Sequence, residues 1–261
     1  MDPETKPQPL LSIVTIHKGD EESLIRTLNS MVHLGPLKEF TELIVVNANS
    51  YEYIFNDDSF LRYKQFVSIN SGIFHAMNFG LEKSIGAYTV FVNSGDLISD
   101  QLDPNLILIH LKKRAIWFVA KSKRFNFRRK NLNDWILPKN YLKFYFAINS
   151  YCHQSTFVDR KHLALIGGFV ESNSVADWEV SLNLHQIQKP EIVDTYWAEY
   201  AGNGFSDSPD MKVWAEDVSA SRARSGLFVF GGVKVDRFFQ RSIAWLLTVK
   251  NEIFQNKSFR Q

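Results

Sequence analysis

The 261-residue chain has a single cysteine, Cys152. An internal disulfide and a cysteine-built zinc site are therefore excluded, and a lone thiol fits a reducing compartment. Long apolar runs are missing as well. No stretch reaches the about 18 residues that a membrane span requires. The start, Met-Asp-Pro-Glu-Thr-Lys-Pro-Gln-Pro, has no apolar segment of the secretory type and reads as a disordered lead-in over residues 1–9. These absences predict a cytoplasmic protein. The net charge is only +2, so no overall field selects a nucleic acid or another polyanion as partner. There is no internal repeat. Hydrophobic residues make up 45% of the chain. That is enough for a large core, and the length suits one large domain or a domain with an appendage.

The first half alternates between two periodicities. Leu10 to Ile16 is apolar and rich in β-branched residues, as a fully buried strand should be. Glu21 to Val32 places Leu24, Leu28 and Met31 at helical spacing, with acids in the first turn where the helix dipole favours them. Glu42 to Val46 and Phe66 to Ile69 read as further strands. Ile73 to Ser84 reads as a helix with Gly86 as its C-cap, and Tyr88 to Val92 as a fourth strand. This alternation predicts an α/β fold, with a mostly parallel sheet and helices on both faces. Such sheets bind ligands at the carboxyl ends of their strands. The loops there carry Thr15 and His17, then Asn47, Asn49 and Ser50, then Asn93-Ser94-Gly95-Asp96.

Beyond Asp96 the pattern loosens. Leu106 to Lys113, Tyr141 to Ile148, Lys161 to Ile166 and Ala176 to Gln186 are expected helices. Ile116 to Ala120, Thr156 to Val158 and Ile192 to Thr195 are expected strands. From Lys121 to Lys130 there are six basic residues and no acid, with Phe125 and Phe127 between them. A basic hairpin is the simplest reading, and a surface for a phosphate-rich acceptor is the functional one. Nucleic acid is not the expected partner. Residues 203–226, rich in Ser, Gly and Asp, read as a linker after a domain over 10–202. Residues 227–261 form a basic, apolar extension. Its stretch Leu227 to Phe254 has two readings of equal weight, an amphipathic helix on a membrane or partner and a helix packed on the core.

Several segments resemble family 2 glycosyltransferases of the GT-A fold, especially bacterial enzymes of exopolysaccharide, O-antigen and colanic-acid assembly. Leu11-Ser12-Ile13-Val14-Thr15-Ile16 matches the family's first strand. Glu42 to Ser50 sits where the family has a strand ending in Asp-Gly-Gly/Ser-Ser. Gly72 to Gly80 resembles Gly-Ile-Tyr-Asp-Ala-Met-Asn-Lys-Gly, and Phe91 to Asp96 resembles Phe-Leu-Asn-Ser-Gly-Asp. Cys152 to Phe157, Ile166-Gly167-Gly168-Phe169 and Ala176-Asp177 match the later motifs. Each motif is weak alone, and their order and spacing carry the resemblance from Leu10 to Thr195.

The resemblance implies an inverting transfer of a sugar, a hexose or N-acetylhexosamine, from a nucleotide-diphospho-sugar, UDP-linked by default. The acceptor would be a glycan or a polyprenyl-diphosphate-linked sugar, met at the cytoplasmic face of the membrane. Neutralising the leaving diphosphate is usually the work of Mn or Mg held by a carboxylate. Asp96 takes that place, with Ser94, His75 and Asn47 where the family has acids. The plainer reading of Asp96 is a cap on the following turn. Asp177 takes the place of the base that removes the acceptor proton, with Glu179 as the substitute. The plainer reading is a helix start favoured by the dipole. Thr15, His17, Asn47, Asn49, Ser50, Asn78 and Ser94 would line the donor, and His153 and Gln154 the acceptor or the diphosphate. The alternative is a GT-A-like domain that binds a glycan or a partner without catalysis.

Overall fold

The computed structural model describes residues 7–49, 59–68, 72–126, 131–202, 210–227 and 231–258. Its parallel half is built as the apolar runs require. Strands β1 (Leu11–His17) and β2 (Thr41–Asn47) are buried along their whole length. Period-two alternation sends Leu11 and Ile13 to one face of the sheet and Val14 and Ile16 to the other, so each face has its own core. Helix α1 (Glu21–Ser30), capped by Asp20, covers the first face with Leu24 and Leu28. Helix α2 (Ile73–Lys83) covers the second with Phe74, Met77 and Leu81.

A single nine-stranded sheet holds the rest. Its order is β3-β2-β1-β4-β8-β6-β9-β5, with β7 paired to β6. Strands β3 (Arg62–Val67), β2, β1 and β4 (Tyr88–Phe91) run parallel. Strand β8 (Thr156–Asp159) joins β4 antiparallel, and β6 (Trp117–Asn126) joins β8 antiparallel. Strand β9 (Glu191–Tyr200) runs parallel to β6, and the short β5 (Leu97–Ile98) closes the edge antiparallel to β9. The register between β6 and β9 slips at Lys121, an irregularity of the kind that bends a strand. The basic segment forms a hairpin of β6 and β7 (Asn131–Asp134), with 127–130 outside the described residues. Helices α3 (Pro104–Lys113), α4 (Tyr141–Tyr145), α5 (Arg160–Leu165), α6 (Ala176–Ile187), α7 (Met211–Arg224) and α8 (Val233–Ser258) complete the structure. Among the described residues, no helix is long and apolar enough to cross a membrane.

Three expectations are corrected. Gly86 does not cap α2, which ends at Lys83 with Ser84 as its C-cap. Gly86 instead lies against β1, where a Cβ would stand 2.5 Å from Ser12 Oγ and 2.7 Å from the Leu11 carbonyl carbon. The Gly86 and Ile85 amides donate to the buried Glu42 carboxylate, which also accepts from Ser12 Oγ. The third strand begins earlier than predicted, at Arg62, because its half-buried edge position tolerates Arg, Lys and Gln. Much of the linker predicted over 203–226 is helix α7, capped by Asp210. It buries Trp214, Ala215, Val218, Ser219, Ser221 and Arg222. Its burial is partly polar, which hides it from a hydropathy reading.

Candidate active site

The carboxyl ends of β1, β2 and β4 lie side by side. His17 is in register with Asn47, and the β1–β4 ladder runs on past β4, with Val92 N–H donating to Val14 O and Ser94 N–H to Ile16 O. The loop after β4 turns sharply. Asp96 N–H donates to Asn93 O, and Gly95 has φ of +101°, a region that favours glycine. Helix α1 steadies this loop. Thr27 Oγ1 accepts from Gly95 N–H, and Ser30 Oγ accepts from Ile98 N–H.

A buried histidine network links the three strand ends. His17 Nε2 lies 2.9 Å from Asn49 Nδ2, and its Nδ1 lies 3.0 Å from Ser94 Oγ. Asn49 Oδ1 accepts from Gly19 N–H, which turns the amide nitrogen toward the ring. His17 Nε2 is then an acceptor, and Nδ1–H donates to Ser94. Asn47 Oδ1 accepts from Asn49 N–H and shapes the loop behind it. Ser50 lies outside the described residues.

Burial holds His17 below the ordinary histidine range, against the opposing pull of Asp20 and Glu21. His185 is lowered in the same way by burial and by Lys189. For both, the native state binds fewer protons than the unfolded chain between the depressed value and about 6.5. Their contribution is full above that window and is lost as pH falls through it. The urea midpoint at about pH 5.5 should therefore lie below that at about pH 7.5. His17→Gln should narrow the gap, and an unchanged gap would remove His17 from this account.

A second network fixes Asp96. Its Oδ2 accepts from Gln154 Nε2 at 2.9 Å, and its Oδ1 from the Ala201 amide at 3.0 Å. Gln154 Oε1 in turn accepts from the Cys152 thiol at 3.0 Å. Burial pushes that thiol up to about 12, so Cys152 stays protonated and acts as a donor.

The third network crosses the site. His153 opens the 3-10 turn before β8. Its Nδ1 lies 3.2 Å from Asp177 Oδ2 and its Nε2 3.3 Å from Asn93 Nδ2. The amide donates to Nε2, so Nδ1–H points at the carboxylate. Asp177 sits in the first turn of α6, and its other oxygen accepts from Trp178 N–H. Its side chain keeps 22% of its surface exposed. Asn93 Oδ1 is buried and has no donor. The sequence places Asn93 in the strand-four motif but gives it no role. Its place directly before Ser94 at a strand end was the available signal.

Other candidates lie elsewhere. Asn78 grips the Phe169 backbone with both amide atoms, its Oδ1 accepting from the N–H and its Nδ2 donating to the C=O, and so ties α2 to the Gly167-Gly168 turn. Thr15 is fully buried within β1 and offers no surface to a ligand. His75 pairs with Glu171. Glu179 is buried and locked, with its carboxylate accepting from Arg224, Asn173 and Ser221. It serves packing rather than proton transfer, because it points into the α6–α7 contact and Asp177 does not.

No family model matches the chain, and no curated protein matches its sequence. Solved structures do match. S. aureus TarS 1–349 with UDP-GlcNAc aligns at a TM-score of 0.61 and 15% identity, over 87% of this chain and 69% of that one. The mannosyltransferase PcManGT of Pyrobaculum calidifontis, with GDP-Man and Mn2+, aligns at 0.55 and 13%, over 95% and 77%. GalNAc-T7 with UDP, GalNAc and Mn2+ aligns at 0.55 and 13%, over 90% and 54%. The fold is GT-A. At this identity the likeness speaks for the fold.

In this GT-A domain the side chains present do not by themselves fit a resident divalent cation. Hard cations want about six oxygen ligands. Asp96 is the one carboxylate in the strand-four loop, and both of its oxygens accept protein hydrogen bonds. Ser94 Oγ accepts from His17, and His75 is paired elsewhere. Among the described residues, no group of three or more His, Cys, Asp or Glu could hold a metal. In this structure Asp96 acts as a hydrogen-bonded clamp between the strand-four loop and the exit of β9.

Proposed function

We propose that this protein is an inverting glycosyltransferase of family 2 type. It moves a hexosyl or N-acetylhexosaminyl group from a nucleotide-diphospho-sugar, UDP-linked by default, to a lipid-linked or oligosaccharide acceptor in bacterial surface polysaccharide synthesis. The observation that carries the reading is the Asn93–His153–Asp177 chain at the carboxyl edge of a GT-A sheet. Inversion needs a single base on the acceptor side. His153 cannot fill that role from its Nε2, which accepts from Asn93, or from its Nδ1, which carries a proton toward Asp177. Asp177 is the partly exposed carboxylate that remains. The acceptor hydroxyl attacks the anomeric carbon, its proton passes to Asp177, and the bond to the nucleotide diphosphate breaks with its electrons leaving on oxygen. His153 holds the carboxylate in place during the transfer. Asn47, Asn49 and Ser94 edge the donor side, where the neutral His17 network stiffens the loops. Relatives of this fold solved with UDP-GlcNAc, UDP and GDP-Man support a nucleotide-sugar donor.

A second reading, an inert domain that binds a glycan or a partner enzyme, draws on Asn47, His75 and Ser94 standing where the resembled family has acids. Titration calorimetry separates the two. UDP, UDP-GlcNAc and GDP-Man are titrated with and without Mn2+. Saturable heat from a nucleotide, followed by a product of inverted anomeric configuration in NMR, is the result expected. The titration with Mn2+ also measures the metal requirement. No nucleotide binding under either condition would favour the inert domain.

A further inference from the structure

We infer that α8 seats this protein on an anionic lipid bilayer through the face carrying Phe238, Trp245 and Leu246. The helix is two-sided. Asp236, Gln240 and Ala244 are buried, spaced four residues apart, and face α7 and α4. On the opposite side Phe238 is 69% exposed, Trp245 65% and Leu246 58%, with Phe239 beside them. At about 100° per residue these exposed side chains fall on one arc of the helix, turned away from the buried one. Four large apolar groups on one solvent-facing arc form a patch that a monomer in water would not retain without a use.

The charges say what covers it. From Val233 to Lys250 the sole acid is Asp236, which is fully buried against Arg222. The cations of the same stretch are Lys234, Arg237, Arg241 and Lys250, all exposed. Lys234, Arg237 and Arg241 flank one edge of the apolar arc, and Lys250 flanks the other. Arg237 and Arg241 both reach Glu216 of α7, so these two cations share one carboxylate. An apolar arc edged by cations on both sides matches a headgroup layer. The rings enter the boundary with the acyl chains while Lys and Arg stay at the level of lipid phosphates. Phe238 and Trp245 are two turns apart, about 10 Å along the axis. The helix must therefore lie flat, with its other face still fixed to α7. This also resolves the two readings of the extension, because one face packs and the other docks. The inference stands apart from the sugar-transfer reading and needs no activity to test.

The test is co-flotation of the full chain with vesicles of phosphatidylcholine containing about one-third phosphatidylglycerol, and with phosphatidylcholine alone. The protein should float with the anionic vesicles, less with the neutral ones, and less again when the salt is raised to about 1 M. Trp245→Ser with Leu246→Ser should lower the bound fraction roughly tenfold or more, at an unchanged urea midpoint, since both side chains already face outward. Either of two flotation results overturns the inference: no flotation of the unaltered chain, or equal flotation of the double variant. A dimer that the double variant splits into monomers would also overturn it, by giving the face to a second copy.

Discussion

Asp177→Asn should slow sugar transfer by about 10²–10⁴-fold, the usual contribution of a positioned general base. Nucleotide affinity should not change. The amide keeps the shape of the carboxylate, and its one oxygen can still accept from the Trp178 N–H, so the first turn of α6 should hold, while its nitrogen takes the place of the oxygen that accepted from His153. What it loses is a place for the acceptor proton. His153→Ala tests the positioning role beside it. Here the carboxylate remains but its orientation is freed, so the loss should be smaller and should appear in kcat rather than KM. Glu179→Gln is the contrast, because that residue is tied to Arg224 and serves the packing of α6 on α7. Initial rates with the donor found by calorimetry give all three values. Full transfer activity in Asp177→Asn would end its assignment as base.

Asp236→Ala should destabilise the fold by about 3–5 kcal/mol, the cost of leaving a buried charge without its partner. Arg222 is fully buried and donates from Nε and Nη2 to the two Asp236 oxygens at 2.9 and 2.8 Å. Ser219 Oγ adds a third bond to the same carboxylate, and Arg222 Nη1 reaches the Tyr145 carbonyl. The guanidinium also lies over the Tyr145 and Phe146 rings, 4.9 and 5.1 Å from their centroids. One arginine thus joins α7, α8 and the end of α4. Removing Asp236 strands the Arg222 charge inside the protein, whereas removing both charges strands none. The double change Arg222→Met with Asp236→Leu should therefore recover much of the lost stability. Urea unfolding of the three proteins measures both effects. A single variant within about 1 kcal/mol of the parent would show that this pair does not hold the helices together.

The strands were legible because burial on both faces demands an unbroken apolar run. Leu11 to Ile16 and Leu43 to Val46 leave little else to predict. The site was legible only in outline. That ligands gather near Asn47 and Asp96 follows from where parallel strands end. What each polar side chain does there did not follow. Asn78 looked like a donor contact, yet both of its amide atoms are spent on a turn 91 residues away. Asp177 reads as the base with Glu179 as its substitute, and the 100° turn per residue sends one to His153 and the other to Arg224.

By itself, then, the sequence determined the α/β alternation, the two buried central strands and the edge of the sheet where chemistry belongs. Each of these depends on apolar periodicity within one short segment. Tertiary structure alone decided the Asn93–His153–Asp177 chain, whose members stand 60 and 24 residues apart, and the ordering of α7 by Arg222 and Asp236. A polar group's role is set by the partner that desolvates with it. That partner is fixed by packing across the chain, where no local pattern can announce it.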